Sequence, residues 1–465
     1  MEDKKGGLNV SVKSFIGAIA VILVLMVLTY VMTMVIPGGE YARVTDESGN
    51  TVIAPEEGFT FVWGGLPFWK WILSPFLVLG ADGGGMIIAI VAFLLVIGGV
   101  FTALDNCGLM RYMLDVIVDK CGNARYRLLC IIVLFFMGMG AFIGSFEECV
   151  PLVPIVVALA VSLGWDVYTG MGMSLLAAGC GFASGVCNPF TVGVAQGLAD
   201  LPMFSGIWFR ALGFVFIYGL LVLFLIRHAI KIDLGKRLNK KAFVKDPKMS
   251  RALVCFASIL GVGIVIVLMS GFVTVLQDYT MIIVAVMFLA AGVASTLLSG
   301  FGGANLAKSF GQGVISILPA VLLILMASSI KYTLTEGKIL DTLLYWSVEA
   351  LAELPKWSII IFIYLIVLGM NFFISSGSAK AFLLIPLIVP IAQIFGIEPQ
   401  LCIVAFAFGD GFSNVFYPTN AALLISLGLA DVSYGKWFRY TWKFQLANLI
   451  LTSGLLLLGY FIGYR

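Results

Sequence analysis

Three acidic residues stand inside long apolar stretches of this chain. Glu147 and Glu148 follow Gly144 and Ser145, and Asp410 sits between Gly409 and Gly411. A carboxylate is costly in such surroundings, and within a membrane an ionisable side chain usually marks a substrate, ion or proton pathway. Neutral hydrogen-bonding and helix-breaking residues recur around them: Asn188, Pro189 and Thr191; Ser375, Ser376, Gly377 and Ser378; Ser413 and Asn414; Pro418, Thr419 and Asn420. Chemically the set divides in two. The hydroxyl and amide side chains, with the free N–H groups and positive dipole ends of half-helices starting at the breaks, suit an anionic group such as a carboxylate. The three acids suit a cationic group, a coupling Na+ or H+, or a titratable proton.

Plainer roles exist for some of these residues. Ser145-x-x-Glu148 has the form of a capping box for a half-helix beginning near Cys149. Lys380 either pairs with a carboxylate or extends its charge to the interface. The run of small residues from Ala177 to Gly185 reads as close helix packing. The sole histidine, His228, lies among basic residues as a solvated side chain, which leaves no Ser–His hydrolase, and there is no HExxH zinc motif. None of the eight cysteines forms a CxxC pair, so they read as small buried apolar residues.

The breaks come in pairs. Phe142-Ile143 is answered by Phe373-Ile374 at a separation of 231, and Asn188-Pro189-Phe190-Thr191 by Tyr417-Pro418-Thr419-Asn420 at 229. Gly206-Ile207-Trp208-Phe209-Arg210 is answered by Gly435-Lys436-Trp437-Phe438-Arg439, again at 229. A duplicated half whose polar, broken segments recur in register is the pattern of a secondary transporter's substrate site.

The elements that must carry these breaks are membrane helices. Hydrophobic residues make up 61% of the chain and charged ones 11%, and the mean hydropathy is +1.08, outside the range of a soluble domain. Runs able to cross a bilayer lie at about Phe15–Ile36, Met86–Leu104, Val167–Ala199, Gly206–Leu225, Ala252–Phe272, Met281–Leu298, Gly313–Ile330, Leu401–Leu427 and Leu446–Ile462. The first is too long for a signal peptide and is followed by no cleavage site. Two further stretches, near 128–163 and 359–394, are split at polar points into arms of about 14 to 18 residues, short for a span. Helical hairpins entering from opposite faces and turning near the midplane fit them. Their turns must face protein or water, because unpaired backbone groups in lipid cost several kcal/mol each.

The segment from Arg227 to Arg251 is strongly basic and so cytoplasmic, whereas the loop after the first span, with Glu40, Asp46, Glu47, Glu56 and Glu57, is outside. Short amphipathic helices follow Gly108 and Gly337, about 109–120 and 338–352, lying at the interface. Five crossings separate these two glycines, and an odd number makes the repeats inverted. The expected organisation is an all-α membrane protein: residues 1–231 as a first inverted repeat with a re-entrant hairpin at 127–164 and an unwound helix at 167–199, a linker at 232–251, and residues 252–465 as a second repeat with a hairpin at 358–394 and an unwound helix at 399–428. The N-terminus is then cytoplasmic and the C-terminus outside.

Ser145-Phe146-Glu147-Glu148 with Pro151 and Pro154, followed by Cys187-Asn188-Pro189-Phe190-Thr191-Val192-Gly193-Val194-Ala195-Gln196, resembles the YfcC-like branch of the ion-transporter superfamily. That branch lies near the DcuC C4-dicarboxylate carriers and the ArcD-type basic amino acid antiporters. The resemblance covers almost the whole chain. It implies a homodimer in the inner (plasma) membrane, in which a scaffold holds an elevator-like transport domain containing the hairpins and unwound helices. Sodium-coupled dicarboxylate relatives carry Ser-Asn-Thr at both hairpin tips, whereas this chain has Gly-Ser-Phe-Glu from Gly144 and Ser-Gly-Ser-Ala from Ser376.

At an effective dielectric of about 20, a like charge roughly 4 Å from a carboxylate costs about 4 kcal/mol. The expected function is therefore secondary transport of a small amino acid, above all a basic one of the arginine or ornithine type, by exchange or ion coupling. A C4-dicarboxylate carrier with protonated acids is the related alternative, and an ion channel the alternative from another class. The expected partners are a small-molecule solute, the bilayer and a second copy of the chain, with no nucleic acid, cofactor or metal.

Overall fold

The computed structural model describes residues 12–45, 51–53, 58–81, 84–121, 124–144, 146–202, 204–232, 245–270, 279–351 and 355–465. Ser145, the linker residues 233–244 and the loop acids Asp46, Glu47, Glu56 and Glu57 lie outside the described residues. The chain is predominantly helical, because its apolar runs can satisfy their backbone groups in lipid only within themselves. Seven helices among the described residues are long and apolar enough to cross a membrane: Ile87–Asn106, Arg125–Ile143, Val167–Leu198, Ile207–Ile232, Gly303–Glu336, Gly377–Ile394 and Tyr434–Phe461. Val24, Val215, Val262 and Ile450 are exposed on their helices, as side chains bathed in acyl chains would be. This is a multi-pass membrane protein.

Several helices outrun their apolar windows. The expected span at 313–330 is the middle of a helix from Gly303 to Glu336, 34 residues long, or about 51 Å against a hydrocarbon layer of about 30 Å. Hydropathy marks where lipid ends, whereas a helix ends where its backbone is broken. Here Gly302, in a left-handed conformation at φ +83, precedes it and Gly337 closes it.

Two helix pairs and two broken helices form the centre. In the first pair, Arg125–Gly138 continues through one wide turn, Met139–Ile143, to Gly144; a tight turn, Glu147–Leu152, then leads into Val153–Ser162. Arg125 donates to the carbonyl of Leu163 at 3.2 Å, so the two ends of this segment meet while Gly144 forms its far tip. In the second pair, Lys356–Asn371 packs against Gly377–Ile394 across a five-residue connection.

The first broken helix runs to Ser184, stops at left-handed Gly185, and restarts at Pro189. The second breaks later than its glycines foretell. Pro399–Gly411 stays helical through Asp410, tightens over Phe412–Val415, and restarts only at Ala421. Glycine weakens a helix interior by only about 1 kcal/mol. Close approach offsets that here: a Cβ on Gly409 would lie 2.7 Å from Val367 Cβ, and Gly411 rests on the backbone of Ala183, where the two broken helices cross.

The all-α expectation fails in one place. Residues 38–62 include four short strands, with Gly38–Tyr41 paired antiparallel to Phe59–Val62 and Arg43–Thr45 to Thr51–Ile53. They dock on the helix Leu340–Leu351. Asp341 accepts from the Tyr41 backbone N–H at 3.0 Å and pairs with Arg43 at 2.8 Å, while Gly39 donates to the Lys338 carbonyl. Burial, reinforced by the Asp341 carboxylate, pushes the Tyr41 hydroxyl up to about 12. The helices expected after Gly108 and Gly337 are present as Leu109–Cys121 and Leu340–Leu351.

His228 is not free in solvent. It lies 3.0 Å from Asp166 and its ring meets that of Tyr440 edge-on. Asp166 caps the helix Val167–Met171 through Thr169. Burial raises the Asp166 carboxyl, but the hydrogen bonds from His228 and Thr169 outweigh it and hold the group below its usual range.

Candidate functional site

Gly144, at φ +78, places the first tip directly on the first break: a Cβ there would lie 2.8 Å from Asn188 Cγ and 2.9 Å from Phe190 Cδ2. Only glycine adopts this left-handed turn without strain and leaves that room. The break is tied back to the same helix pair, since Cys187 N–H donates to the Ala141 carbonyl at 2.9 Å. Asn188 is fully buried and caps the restarted helix, its Oδ1 accepting from Phe190 and Thr191 N–H, while its Nδ2 has no partner. Pro189 opens that helix, where a missing N–H costs nothing.

The second tip reaches across to both broken helices. A Cβ on Gly377 would lie 2.6 Å from Asp410 Oδ2 and 2.6 Å from Thr191 Cγ2, so the absent side chain is what lets this tip settle between them. Ser376 caps the arm that follows, accepting from Ala379 N–H at 3.5 Å; Ser375 is exposed and Ser378 half-buried. No described contact ties Ser375 or Pro418 to the other candidate residues.

Behind the second tip lies a network of which the sequence discloses only a part. Lys380, fully buried, places Nζ 2.5 Å from Asp410 Oδ1 and also on Asn371 Oδ1. Asn371 Nδ2 is within reach of the Asp410 carbonyl at 2.8 Å, Ser413 Oγ at 2.5 Å and Asn414 Oδ1 at 2.9 Å. Asn414 also accepts from Asn420, which caps the helix Ala421–Leu429 through Leu423 N–H. The open question about Lys380 is thereby answered: it pairs with a carboxylate. Asn371 ends an apolar helix, and its only sequence signal was a lone amide in an apolar run.

Glu147 and Glu148 differ from Asp410. No ion pair involves either one among the described residues, and Glu148 Oε2 has no hydrogen-bond partner. Both are surrounded by protein yet remain only half-buried by accessible surface. Glu147 lies within electrostatic reach of Asp410, and Glu148 of Glu147. The tight turn starts at Glu147 with Phe146 preceding it and no side-chain cap; the Ser145 end of the expected capping box lies outside the described residues.

Unpartnered buried atoms mark the rest of the cluster: Asn188 Nδ2, Thr191 Oγ1, Asp410 Oδ2 and Thr419 Oγ1. A buried polar group without a partner costs about 1–3 kcal/mol. The contacts of both tips join the four broken segments into one cluster. Another cavity, of about 400 Å³, lies beside the second break among Tyr364, Phe412, Tyr417, Trp442 and Leu449. Its lining holds no acidic or basic residue.

The carbonyls freed by the two breaks find different donors. Arg210, fully buried, donates to Val186 O at 3.2 Å and to the carbonyls of Ser205 and Phe204, whereas Trp437 Nε1 donates to Val415 O at 2.8 Å. Nearby, Gln196 and Gln400 join through a 2.9 Å bond and share Ser205.

Known proteins resemble the whole chain. YfcC of Escherichia coli strain K12, named provisionally as a basic amino acid antiporter, is 28% identical over 403 residues, covering 82% of this chain and 79% of its own. An uncharacterised protein of Haemophilus influenzae strain Rd is 25% identical over 388 residues, covering 79% and 74%. Among solved structures, the YdaH transporter of Alcanivorax borkumensis matches with a TM-score of 0.43 and 17% identity, over 97% of this chain and 99% of that one. MtrF of Neisseria gonorrhoeae, described within a class of antimetabolite efflux pumps, matches with a TM-score of 0.46 and 14% identity, over 96% and 95%. The named relatives are transporters, not enzymes. The sequence model of the family described as DcuC, C4-dicarboxylate anaerobic carrier, matches residues 16–461, and the chain belongs to that family of transporters.

Proposed function

We propose that this transporter moves a small amino acid with a basic side chain, by exchange or coupled to Na+ or H+. One observation carries the reading: Glu147 and Glu148 are half-buried with no ion-pair partner among the described residues, while Asp410 already has Lys380. The side-chain ammonium or guanidinium of the substrate meets the two glutamates. Its α-carboxylate lies toward Thr191, Thr419 and the N-termini of the helices Gly377–Ile394 and Ala421–Leu429. The provisional name of the E. coli relative supports a basic amino acid.

Two inverted repeats place the tips opposite one another as re-entrant hairpins, and a homodimeric, elevator-like cycle exposes the site to each side in turn. What supports the repeats is the recurrence of the tip at a separation of 231, and of the break and the Trp-Phe-Arg motif at 229. The elevator, the dimer, the inner-membrane location and the cytoplasmic N-terminus rest on the resemblance and on the loop charges. Uptake into proteoliposomes tests the substrate: labelled arginine enters and is competed by ornithine and lysine. Entry of a C4-dicarboxylate that none of these competes sinks the assignment.

The description of the family favours a second reading, a C4-dicarboxylate carrier. A dianion beside Glu147 and Glu148 requires both to be protonated, so this reading predicts transport that rises steeply as pH falls.

A further inference from the structure

The surroundings of the Lys380 ammonium are those of a cation site. Nζ faces Asn371 Oδ1 and Asp410 Oδ1, and Asp410 Oδ2 beside them is buried without a partner. The Asn371 side of this group is held by contacts that do not involve Lys380, whereas Lys380 is the partner of the Asp410 carboxylate. The Asn371 amide is fixed by the Asp410 carbonyl, Ser413 and Asn414, and Asn414 in turn by Asn420. Lys380, Asn371 and Asp410 are all fully or almost fully buried, and three separate helical elements contribute to the cage. An all-oxygen cage with one carboxylate suits a hard monovalent cation as well as an ammonium.

The equivalent position in the first half carries Cys149, 231 residues earlier, so the cation is a property of the second half alone.

We propose that Lys380 is a tethered cation filling a monovalent-cation site, so that the second half of this transporter supplies its own counter-ion and requires no Na+ there. Charge that changes during transport then belongs to Glu147 and Glu148, the acids without a described cation. Among the described residues, the charged group that faces the Lys380–Asp410 pair is Glu147 of the first tip. The inference rests on reading the four broken segments as the transport site only for its consequence in transport. Occupancy of the cage by a cation stands apart from the substrate.

The test is thermal unfolding of the purified protein in NaCl, KCl and choline chloride at equal ionic strength, without substrate. The wild type unfolds at one temperature in all three salts. Lys380→Ala unfolds at a lower temperature in choline chloride and is raised saturably, by several degrees, by Na+ or by ethylammonium, as a ligand that binds only the native state requires. Adding Asp410→Asn abolishes that response. Lys380→Met, which keeps the stem volume and removes only the charge, gives the same pattern if the alanine variant does not fold. Lys380 variants indifferent to both cations, or a response to them that survives Asp410→Asn, overturn the proposal. A wrong substrate assignment leaves all of these readings unchanged.

Discussion

The two halves solve one packing problem in opposite ways. In the first, Gly140 on the helix pair and Gly181 on the broken helix bring backbone against backbone, Gly140 beside Ala178 and Phe182, Gly181 beside Met137. In the second, the residues at the same register, 231 and 229 positions later, are Asn371 and Asp410, and Lys380 stands where the first half has Cys149. A dry seam of glycines is thus replaced by a fully buried polar network. Close packing through small residues makes a rigid seam with little to titrate or exchange. A buried ion pair holds only while both partners stay, because either charge alone is left in a low-dielectric interior. The first half therefore reads as the fixed seam, with its charges placed at the half-buried tip as Glu147 and Glu148, and the second as a seam that carries its own charge balance.

The largest expected effect comes from unbalancing that network. Asp410→Asn leaves the Lys380 ammonium unpaired and lowers folding stability by about 3–5 kcal/mol, whereas the double change Asp410→Asn, Lys380→Met costs far less. Unfolding curves of the single and double variants in one detergent measure the difference; equal losses would erase the contrast between the halves. Gly140→Ala strikes the other seam. Its Cβ has no room against the backbone of the broken helix, and a cost of about 1–3 kcal/mol follows from overpacking. Ala at position 369, also a glycine but with open space around it, serves as the control and stays near neutral.

A third contrast concerns the carbonyls of Val186 and Val415, which lie 229 residues apart and so occupy the same register. The same duplicated motif supplies both donors from different positions: Arg210 in the first half and Trp437 in the second. Trp437→Phe leaves Val415 O unpaired and costs about 1–3 kcal/mol. The register partners Trp208 and Arg439 are exposed, so Trp208→Phe and Arg439→Met change stability by no more than about 0.5 kcal/mol. Thermal melts of these variants separate a duplicated structure from a duplicated spelling.

The smallest effect concerns Asp166. Its carboxyl is held below the usual range in the folded protein, so the stability it contributes is complete above the unfolded value, near 3.9, and fades as pH falls through the folded one. Asp166→Asn removes that pH dependence while keeping a cap of similar strength, whereas Asp166→Ala also costs about 1 kcal/mol through the lost cap. Melting temperatures followed from pH 6 downward report it.

Much of this was legible beforehand, and the exceptions have physical causes. Apolar runs and glycine corners disclose helices because lipid forbids other backbone, and the paired breaks disclose the tips because proline and left-handed glycine cannot be hidden in a helix. The acidic loop concealed its strands, since short ribbons with few apolar residues carry little periodicity. Gly409-Asp410-Gly411 reads as a break, yet contacts from Val367 and Ala183 keep it helical. Lys380 had two readings because a buried amine and an interfacial one are spelled alike; only the fold brings Asn371 and Asp410 to it. His228 was misplaced for the same reason, its partner Asp166 lying 62 residues away.

The central claim is that the unmatched glutamates of the first tip select a cationic substrate. It is tested most directly by exchange of labelled arginine across proteoliposomes, with the wild type compared to Glu147→Gln, Glu148→Gln. The account predicts exchange by the wild type and a loss of roughly 100-fold in the double variant, the size expected when a buried charge contact is removed, with its unfolding temperature retained. Exchange of a C4-dicarboxylate by the wild type, unaffected by excess arginine, ornithine or lysine, would contradict it.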